Sequence, residues 1–433
     1  MRFNPRLPGF SAAVTAAVAV FALTLFAAQT AASQEQVLYN FYNVGGSVSP
    51  EAGLISDAAG NLYGTAIDGG DYDSGMVFEL TPSTSGWQMT VLHSFNTNGI
   101  DGFLVTAGLI FDPSGNLYGT TQFGGTGACT NGFGCGTAFK LSPSADGTWT
   151  ETIIHNFQGT DGWEVHAGLT MDGAGNLYGT AIVGGLYNQG TVYELSPNAS
   201  GSWTTKVLHH FTGGIDGGFP YAGVTLDSAG NLYGMASEGG GVTAACPYGC
   251  GTVFELSPTN AADGHWTGKL LHNFSQSSAD GRYPYASLVF DAAGNLYGVA
   301  GSGGGSSHIN AGIVFELTVG ASGKWTEKIL HNFNQAAMDG LTPSAPLIFD
   351  ASGNLYGVTQ GGGANHGGTV FKLAPAGGAW TETILHNFSQ NGTDASDGSD
   401  PGGALFFDAS GNLFGTTGQG GTSNEGTVFE ITP

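Results

Sequence analysis

The sequence predicts an all-β chain folded as a seven-bladed β-propeller of four-stranded antiparallel blades. Three observations carry that expectation: one motif recurs seven times, each copy holds four strand-like segments, and the two ends carry complementary parts of a copy.

The motif is Gly-Asn-Leu-Tyr-Gly. It begins at Gly60, Gly115, Gly175, Gly230, Gly294, Gly353 and, with Phe414 replacing the tyrosine, at Gly411. The steps are 55, 60, 55, 64, 59 and 58 residues, a variable period in the range of propeller blades and well above that of leucine-rich or ankyrin units.

The second copy shows the four segments, here called a to d. They are 107–112, 116–121, 136–142 and 149–157, rich in β-branched and aromatic residues and separated by glycine-bearing turns. None has the length or period of a helix. The region after residue 33 opens with a d-like segment, Val37-Leu-Tyr-Asn-Phe41, and the sequence closes with a c-like one at 426–432, so the seventh copy lacks its own d. Pairing the first with the last would remove both open sheet edges and favours a ring over a linear array.

Ahead of the repeats lie a short basic start, Arg2 and Arg6, an apolar stretch from Gly9 to Ala28, and small residues at Thr30-Ala-Ala-Ser33. This pattern predicts an export signal over residues 1–33, cut after Ala32 or Ser33, with 34–433 as a single propeller domain. The rival reading is an uncleaved anchor. No cysteine precedes Cys129, which excludes an N-terminal lipoprotein.

Charge narrows the partners. Without the two signal arginines, 7 basic residues face 33 acidic ones. Such a surface repels nucleic acid and anionic membrane, leaving glycans, basic proteins or cations as the compatible ligands. No membrane span is expected after signal cleavage, and a monomer is expected.

Recurrence separates architecture from chemistry, because a catalytic centre needs unlike groups that converge once. Asp57, Asp112, Asp172, Asp227, Asp291, Asp350 and Asp408 open Asp-x-x-Gly-Asn turns between a and b. There the carboxylate can accept backbone N–H bonds while glycine supplies a positive φ. His93, His155, His209, His272, His331 and His386 on strand d are read as structural, as are Trp87, Trp149, Trp203, Trp266, Trp325 and Trp380.

Asymmetry collects in the b-to-c and d-to-a loops, which alternating strand direction puts on one face. Cys129 and Cys135 share one b-to-c loop and Cys246 and Cys250 another, so two local disulfides are expected rather than a shared zinc site. The d-to-a loops carry Asp-Gly at Asp101, Asp161, Asp216, Asp280, Asp339 and Asp397, with Gly46 in the first copy. These aspartates are read as turn formers near the axis, and calcium is the cofactor they would take if they bound a cation. Beside them the residue type changes from blade to blade: Phe103, Trp163, Glu164, His166, Phe219, Tyr221, Arg282, Tyr283 and Tyr285. Flat apolar faces with polar edges suit a sugar ring or a peptide, so these nine are the expected ligand surface, with plugging of the channel as the competing role.

The repeated text Gly-Asn-Leu-Tyr-Gly-Thr, the Gly-Gly that follows it, Gly-Thr-Val-Phe-Glu-Leu and Leu-His-Asn-Phe resembles the GloVer (Gloeo/Verruco-type) choice-of-anchor tandem-repeat family of exported bacterial proteins, over residues 37–433. The resemblance implies a secreted or surface location and no settled activity. Family members commonly end in an anchoring segment, whereas Thr432-Pro433 follows directly on a strand, which favours a secreted or periplasmic protein over an anchored one. Gly-Gly after b, an aromatic in c and tryptophan in d are also similar to kelch propellers, which bears on the fold alone.

The leading functional expectation is an exported, non-catalytic propeller that binds a carbohydrate or protein through its d-to-a and b-to-c face. A second reading is a polysaccharide lyase or hydrolase using Glu164 and His166 as acid and base with Arg282 stabilising charge. A third is a structural envelope or matrix protein.

Overall fold

The structure is a computed structural model that describes residues 33–42, 48–130, 132–242, 246–259, 264–275, 280–304, 311–334, 338–390 and 396–433. The predicted export signal, Ser33 apart, and Gly46 lie outside these residues. Seven antiparallel four-stranded sheets stand as the blades of a β-propeller, strand a innermost and d outermost. In blade two the strands are Ile110–Phe111, Leu117–Thr121, Thr137–Pro143 and Trp149–Asn156. In blade seven, a is Phe406–Phe407, b is Leu413–Thr417 and c is Thr427–Thr432, while Gln34–Asn40 supplies d, with Gln34 opposite Thr432 and Asn40 opposite Thr427.

Each residue of the repeated motif has a structural task. In the a-to-b turn of blade three, Asp172 Oδ1 accepts the Ala174 and Asn176 backbone N–H groups, both at 2.9 Å. Its Oδ2 accepts the Asn176 amide at 2.8 Å and the Tyr178 hydroxyl at 3.2 Å. The first glycine, Gly175, sits at φ 85°, where a side chain would be strained. The second glycine makes room for an aromatic ring: a Cβ on Gly64 would lie 2.6 Å from Cζ of Phe78.

That ring belongs to strand c and takes part in the packing between blades. The phenylalanine that ends each strand d meets the strand c aromatic of the next blade, as in Phe95 with Phe139 at 5.1 Å, Phe211 with Phe254 at 5.2 Å and Phe388 with Phe429 at 5.0 Å. Phe41, just past the N-terminal strand, does the same against Phe78 of blade one at 5.1 Å. The strand b tyrosines reach the next blade's tryptophan, as in Tyr118 with Trp203 at 6.0 Å. Histidines and tryptophans are thereby absorbed into seams.

Close to the axis the seams are polar in part of the ring. Thr65, Thr120, Thr180 and Thr416 donate to the Ala107, Ala167, Ala222 and Ala52 carbonyls of the following blade at 2.9–3.0 Å. Met235, Val299 and Val358 replace them in blades four to six. The innermost strands are shorter than the sequence suggests. Only two residues of each pair with strand b, because the residues just before them line the axis and pack sideways: a Cβ on Gly53 would lie 2.9 Å from the Ala404 carbonyl oxygen.

Candidate functional site

The d-to-a and b-to-c loops do share a face, and they are tied together within each blade. Gly102-Phe103 pairs with Phe123-Gly124, Gly281-Arg282 with Ser302-Gly303, Gly340-Leu341 with Gly361-Gly362, and Gly398-Ser399 with Gln419-Gly420. The same loop then places one non-glycine residue per blade in the left-handed region: Ser49, Leu104, Glu164, Phe219, Tyr283, Thr342 and Asp400, with φ from 44° to 59°. Such a conformation costs about 1–3 kcal/mol and persists only where surroundings fix it. Here the carbonyl of that residue accepts an N–H from just beyond strand b, for example Gln122 to Leu104 at 3.0 Å and Ile182 to Glu164 at 3.1 Å.

The twist fixes what comes two residues later. Glu51, Thr106, His166, Tyr221, Tyr285, Ser344 and Gly402 hold equivalent positions, and all seven line one cavity on the axis, of about 470 Å³. His166 and Tyr221 stand edge to face at 6.0 Å, and Tyr221 and Tyr285 at 5.3 Å, forming an aromatic arc. The other side of the ring is polar, with Ser344, Glu51 and Thr106, joined by Gln360. Glycine and alanine of the innermost strands form the wall below.

Burial sets the electrostatics of this mouth. It pushes the His166 imidazole down to about 4, so the ring is neutral at pH 7. Burial also raises the Glu51 carboxyl, with the neighbouring Asp400 and Asp68 carboxylates adding to the effect. Tyr221 is raised by burial first and then by Glu164 and Glu238. The arrangement offers two aromatic faces, a neutral imidazole and a carboxyl around a narrow opening.

Of the nine expected surface residues, His166, Tyr221 and Tyr285 meet at the axis, and the others are spread over their own blades. Phe103 packs on Phe123 at 5.7 Å, and the Trp163 indole N–H reaches the Asn188 carbonyl oxygen at 3.4 Å. Phe219 lines a second cavity with Gln189, Glu238 and Tyr248. Tyr283 packs against the core between blades four and five. Glu164 and Arg282 belong to blades three and five, and neither lines the axial cavity. Glu51, Thr106 and Ser344 were not anticipated. Their signal is positional: each directly precedes the small-residue start of its innermost strand, as His166 precedes Ala167-Gly168-Leu169.

The six Asp-Gly aspartates also do not line the axial cavity. They close their loops and face the strand d histidines: Asp339 accepts the Gly340 N–H at 2.6 Å, and His331 Nε2 lies 2.9 Å from its Oδ2. The expected cysteine pairs are both disulfides, Cys129–Cys135 and Cys246–Cys250, with Cα atoms 5.4 and 5.2 Å apart. They brace the b-to-c loops of blades two and four. Exposed large apolar side chains gather on the same face, among them Tyr72, Phe133, Leu186, Tyr187, Val242 and Tyr248 in the b-to-c loops of blades one to four. No helix among the described residues is long and apolar enough to cross a membrane.

Comparison with solved structures gives a fold relationship. The extracellular domain of a hybrid two-component system from B. thetaiotaomicron superposes with a TM-score of 0.55 at 13% identity, over 91% of this chain and 39% of that one. The chain thus spans well under half the length of that relative. A luciferin-regenerating enzyme aligns at a TM-score of 0.43 and 14% identity, over 76% of this chain and 91% of that one. No curated protein matches the sequence. The Gloeobacter/Verrucomicrobia repeat matches residues 127–323 and 241–433, which together make up most of the chain. With the motif accounted for residue by residue, the chain belongs to the Gloeobacter/Verrucomicrobia repeat family.

Proposed function

We propose that the chain is an exported, non-catalytic propeller that binds a carbohydrate end at the mouth of its axial cavity. The supporting observation is the ring of seven equivalent but unlike positions, in which the aromatic arc of His166, Tyr221 and Tyr285 faces the polar arc of Ser344, Glu51 and Thr106. A sugar ring presents an apolar face and hydroxyl edges, and this opening supplies a partner for each. A cavity of about 470 Å³ suits one or two sugar units better than a protein surface. Exposed apolar residues on the surrounding loops, Phe133 and Tyr248 among them, would extend contact along a longer glycan.

Export is supported by the two disulfides, which persist in oxidising compartments, and by the signal-like residues 1–33. The hydrolytic alternative asks Glu164, His166 and Arg282 to act together, and only His166 lines the cavity. The test is binding to a panel of soluble and immobilised polysaccharides. Tyr221→Ala with Tyr285→Ala removes two half-exposed rings and should abolish saturable binding while the fold persists. Undiminished binding by the double variant would overturn this assignment.

A further inference from the structure

The outer wall carries a second kind of cluster, unrelated to the axial cavity. At four of the seven seams a histidine and an aspartate of one blade meet a glutamate of the next outer strand. They are His93, Asp101 and Glu151; His272, Asp280 and Glu327; His331, Asp339 and Glu382; and His386, Asp397 and Glu35.

In two of these groups the spacing is longer than that of a hydrogen-bonded pair, whereas His331 with Asp339 at 2.9 Å and His386 with Asp397 at 3.2 Å are hydrogen-bonded. His93 Nε2 stands 3.4 Å from Asp101 Oδ2 and 3.5 Å from Glu151 Oε2. His272 Nε2 stands 3.5 Å from Asp280 Oδ1 and 3.6 Å from Glu327 Oε1. Zinc binds nitrogen and oxygen at about 2.0–2.1 Å in tetrahedral geometry, which puts neighbouring ligand atoms about 3.4 Å apart. The third cluster is tighter on one side, at 2.9 Å to Asp339 and 3.6 Å to Glu382.

The two histidine seams without the glutamate differ from each other: where Gly268 stands in its place, His209 Nε2 lies 3.3 Å from Asp216 Oδ2. Thr205 takes its place between blades two and three, and there the His155–Asp161 contact closes to 2.8 Å, a hydrogen-bond length. The Thr205 hydroxyl lies 2.8 Å from Nδ1 of the same ring. In the glutamate seams, His93 Nε2, His272 Nε2 and one carboxylate oxygen each of Glu151, Glu327 and Glu382 are shielded from solvent and make no hydrogen bond. A buried polar atom without a partner costs about 1–3 kcal/mol, so several in one cluster call for a ligand.

The charge balance points the same way. Two carboxylates flank one imidazole in each cluster. Each cluster therefore offers two carboxyl oxygens and one imidazole nitrogen, a donor set that zinc takes. Calcium is disfavoured because it takes six to eight oxygen ligands and no imidazole.

We propose that these inter-blade clusters bind Zn²⁺ or a divalent ion of similar chemistry, one per seam, through the histidine Nε2 and one oxygen from each carboxylate, water completing the tetrahedron. Bound metal staples neighbouring blades at their outer edges. The Glu35 cluster reaches the N-terminal strand, so metal there fastens the strand that closes the ring.

The experiment uses the whole mature chain, stripped with chelator and titrated with Zn²⁺ at micromolar concentration. Bound metal is counted by native mass spectrometry, and Co²⁺ replacement is followed by its visible absorption. The expected result is up to four ions per chain, a tetrahedral Co²⁺ spectrum, and loss of one ion for each of Glu151→Gln, Glu327→Gln and Glu382→Gln. His155→Gln, at a seam without glutamate, loses none. Because the three variants test separate seams, misfolding of one leaves the others informative. Two results would overturn the proposal: no retained metal, or equal uptake by the triple glutamine variant, which would mark loose cation binding to the acidic surface.

Discussion

Replacing Phe41 by alanine measures whether the N-terminal strand is a structural equal of the other six outer strands. Phe41 is fully buried, stands edge to face with Phe78 and with Tyr39 at 5.1 Å in both cases, and shares a core with Leu54, Leu62 and Leu80 of blade one. Removing a buried phenylalanine ring costs about 3–5 kcal/mol, against a total stability of about 5–15 kcal/mol. Phe211, likewise fully buried and 5.2 Å from Phe254, is the matched control at an interior seam. Urea unfolding followed by tryptophan fluorescence reads both. With a slope of about 3 kcal/mol/M or more for a chain of this size, each variant should shift its midpoint by about 1 M. If Phe41→Ala stays within about 1 kcal/mol of the parent while Phe211→Ala loses the full amount, the first strand is not an integral part of the ring.

Other outcomes follow from individual contacts. Asp172→Ala should cost about 1–3 kcal/mol by leaving the Asn176 and Ala174 donors of its turn without their acceptor, as read by thermal unfolding. Burial works to raise the carboxyls of Asp112, Asp172, Asp227, Asp291 and Asp350, but the turn hydrogen bonds hold them below the ordinary range. Their contribution is therefore complete above about pH 4, the unfolded value, and is lost as pH falls through the lower folded values, so Asp172→Asn should weaken the acid dependence of stability. For His166 the folded pKa of about 4 lies below the ordinary 6.5, so its contribution is complete above pH 6.5 and is lost as pH falls toward 4. Nuclear magnetic resonance of the imidazole should show that low midpoint, and His166→Gln should flatten stability across the window. Gly64→Ala forces a Cβ to 2.6 Å from the Phe78 ring and should cost about 1–3 kcal/mol in a calorimetric scan, beyond any effect of helix or strand propensity.

The fold was legible because repetition makes each blade a copy of the same solution. Asp, Gly, Asn and Tyr of the turn motif recur together since one carboxylate binds the others' donors, and the missing final d segment pointed to Val37–Phe41 as its substitute. The axial ring was only half legible. Aromatic residues drew attention to His166, Tyr221 and Tyr285, whereas Glu51, Thr106 and Ser344 are common loop types that gain meaning only once the left-handed residue two positions earlier is seen to fix their place. The seam clusters were less legible still. The histidines and aspartates stood out as repeats, but Glu151, Glu327 and Glu382 sit two residues after a tryptophan and look like ordinary outward strand residues, and their partners come from the preceding blade. Contacts between repeats leave no local pattern.

The meeting of Gln34 with Thr432 also orders the steps of folding. The first strand has no mate until the last one is in place, so a partly folded chain is an arc whose seventh sheet keeps a bare rim. Joining such distant partners costs about 3–4 kcal/mol more than joining the neighbours of a single blade, since the entropy of loop closure grows with the logarithm of length. Equilibrium therefore tolerates the arrangement well, and its burden falls on rate, with the final docking step exposed to a competing edge from another copy. A circular permutant that connects the two natural ends and opens a d-to-a loop between two blades would give every sheet its full set of strands from contiguous sequence, and it should refold faster than the parent.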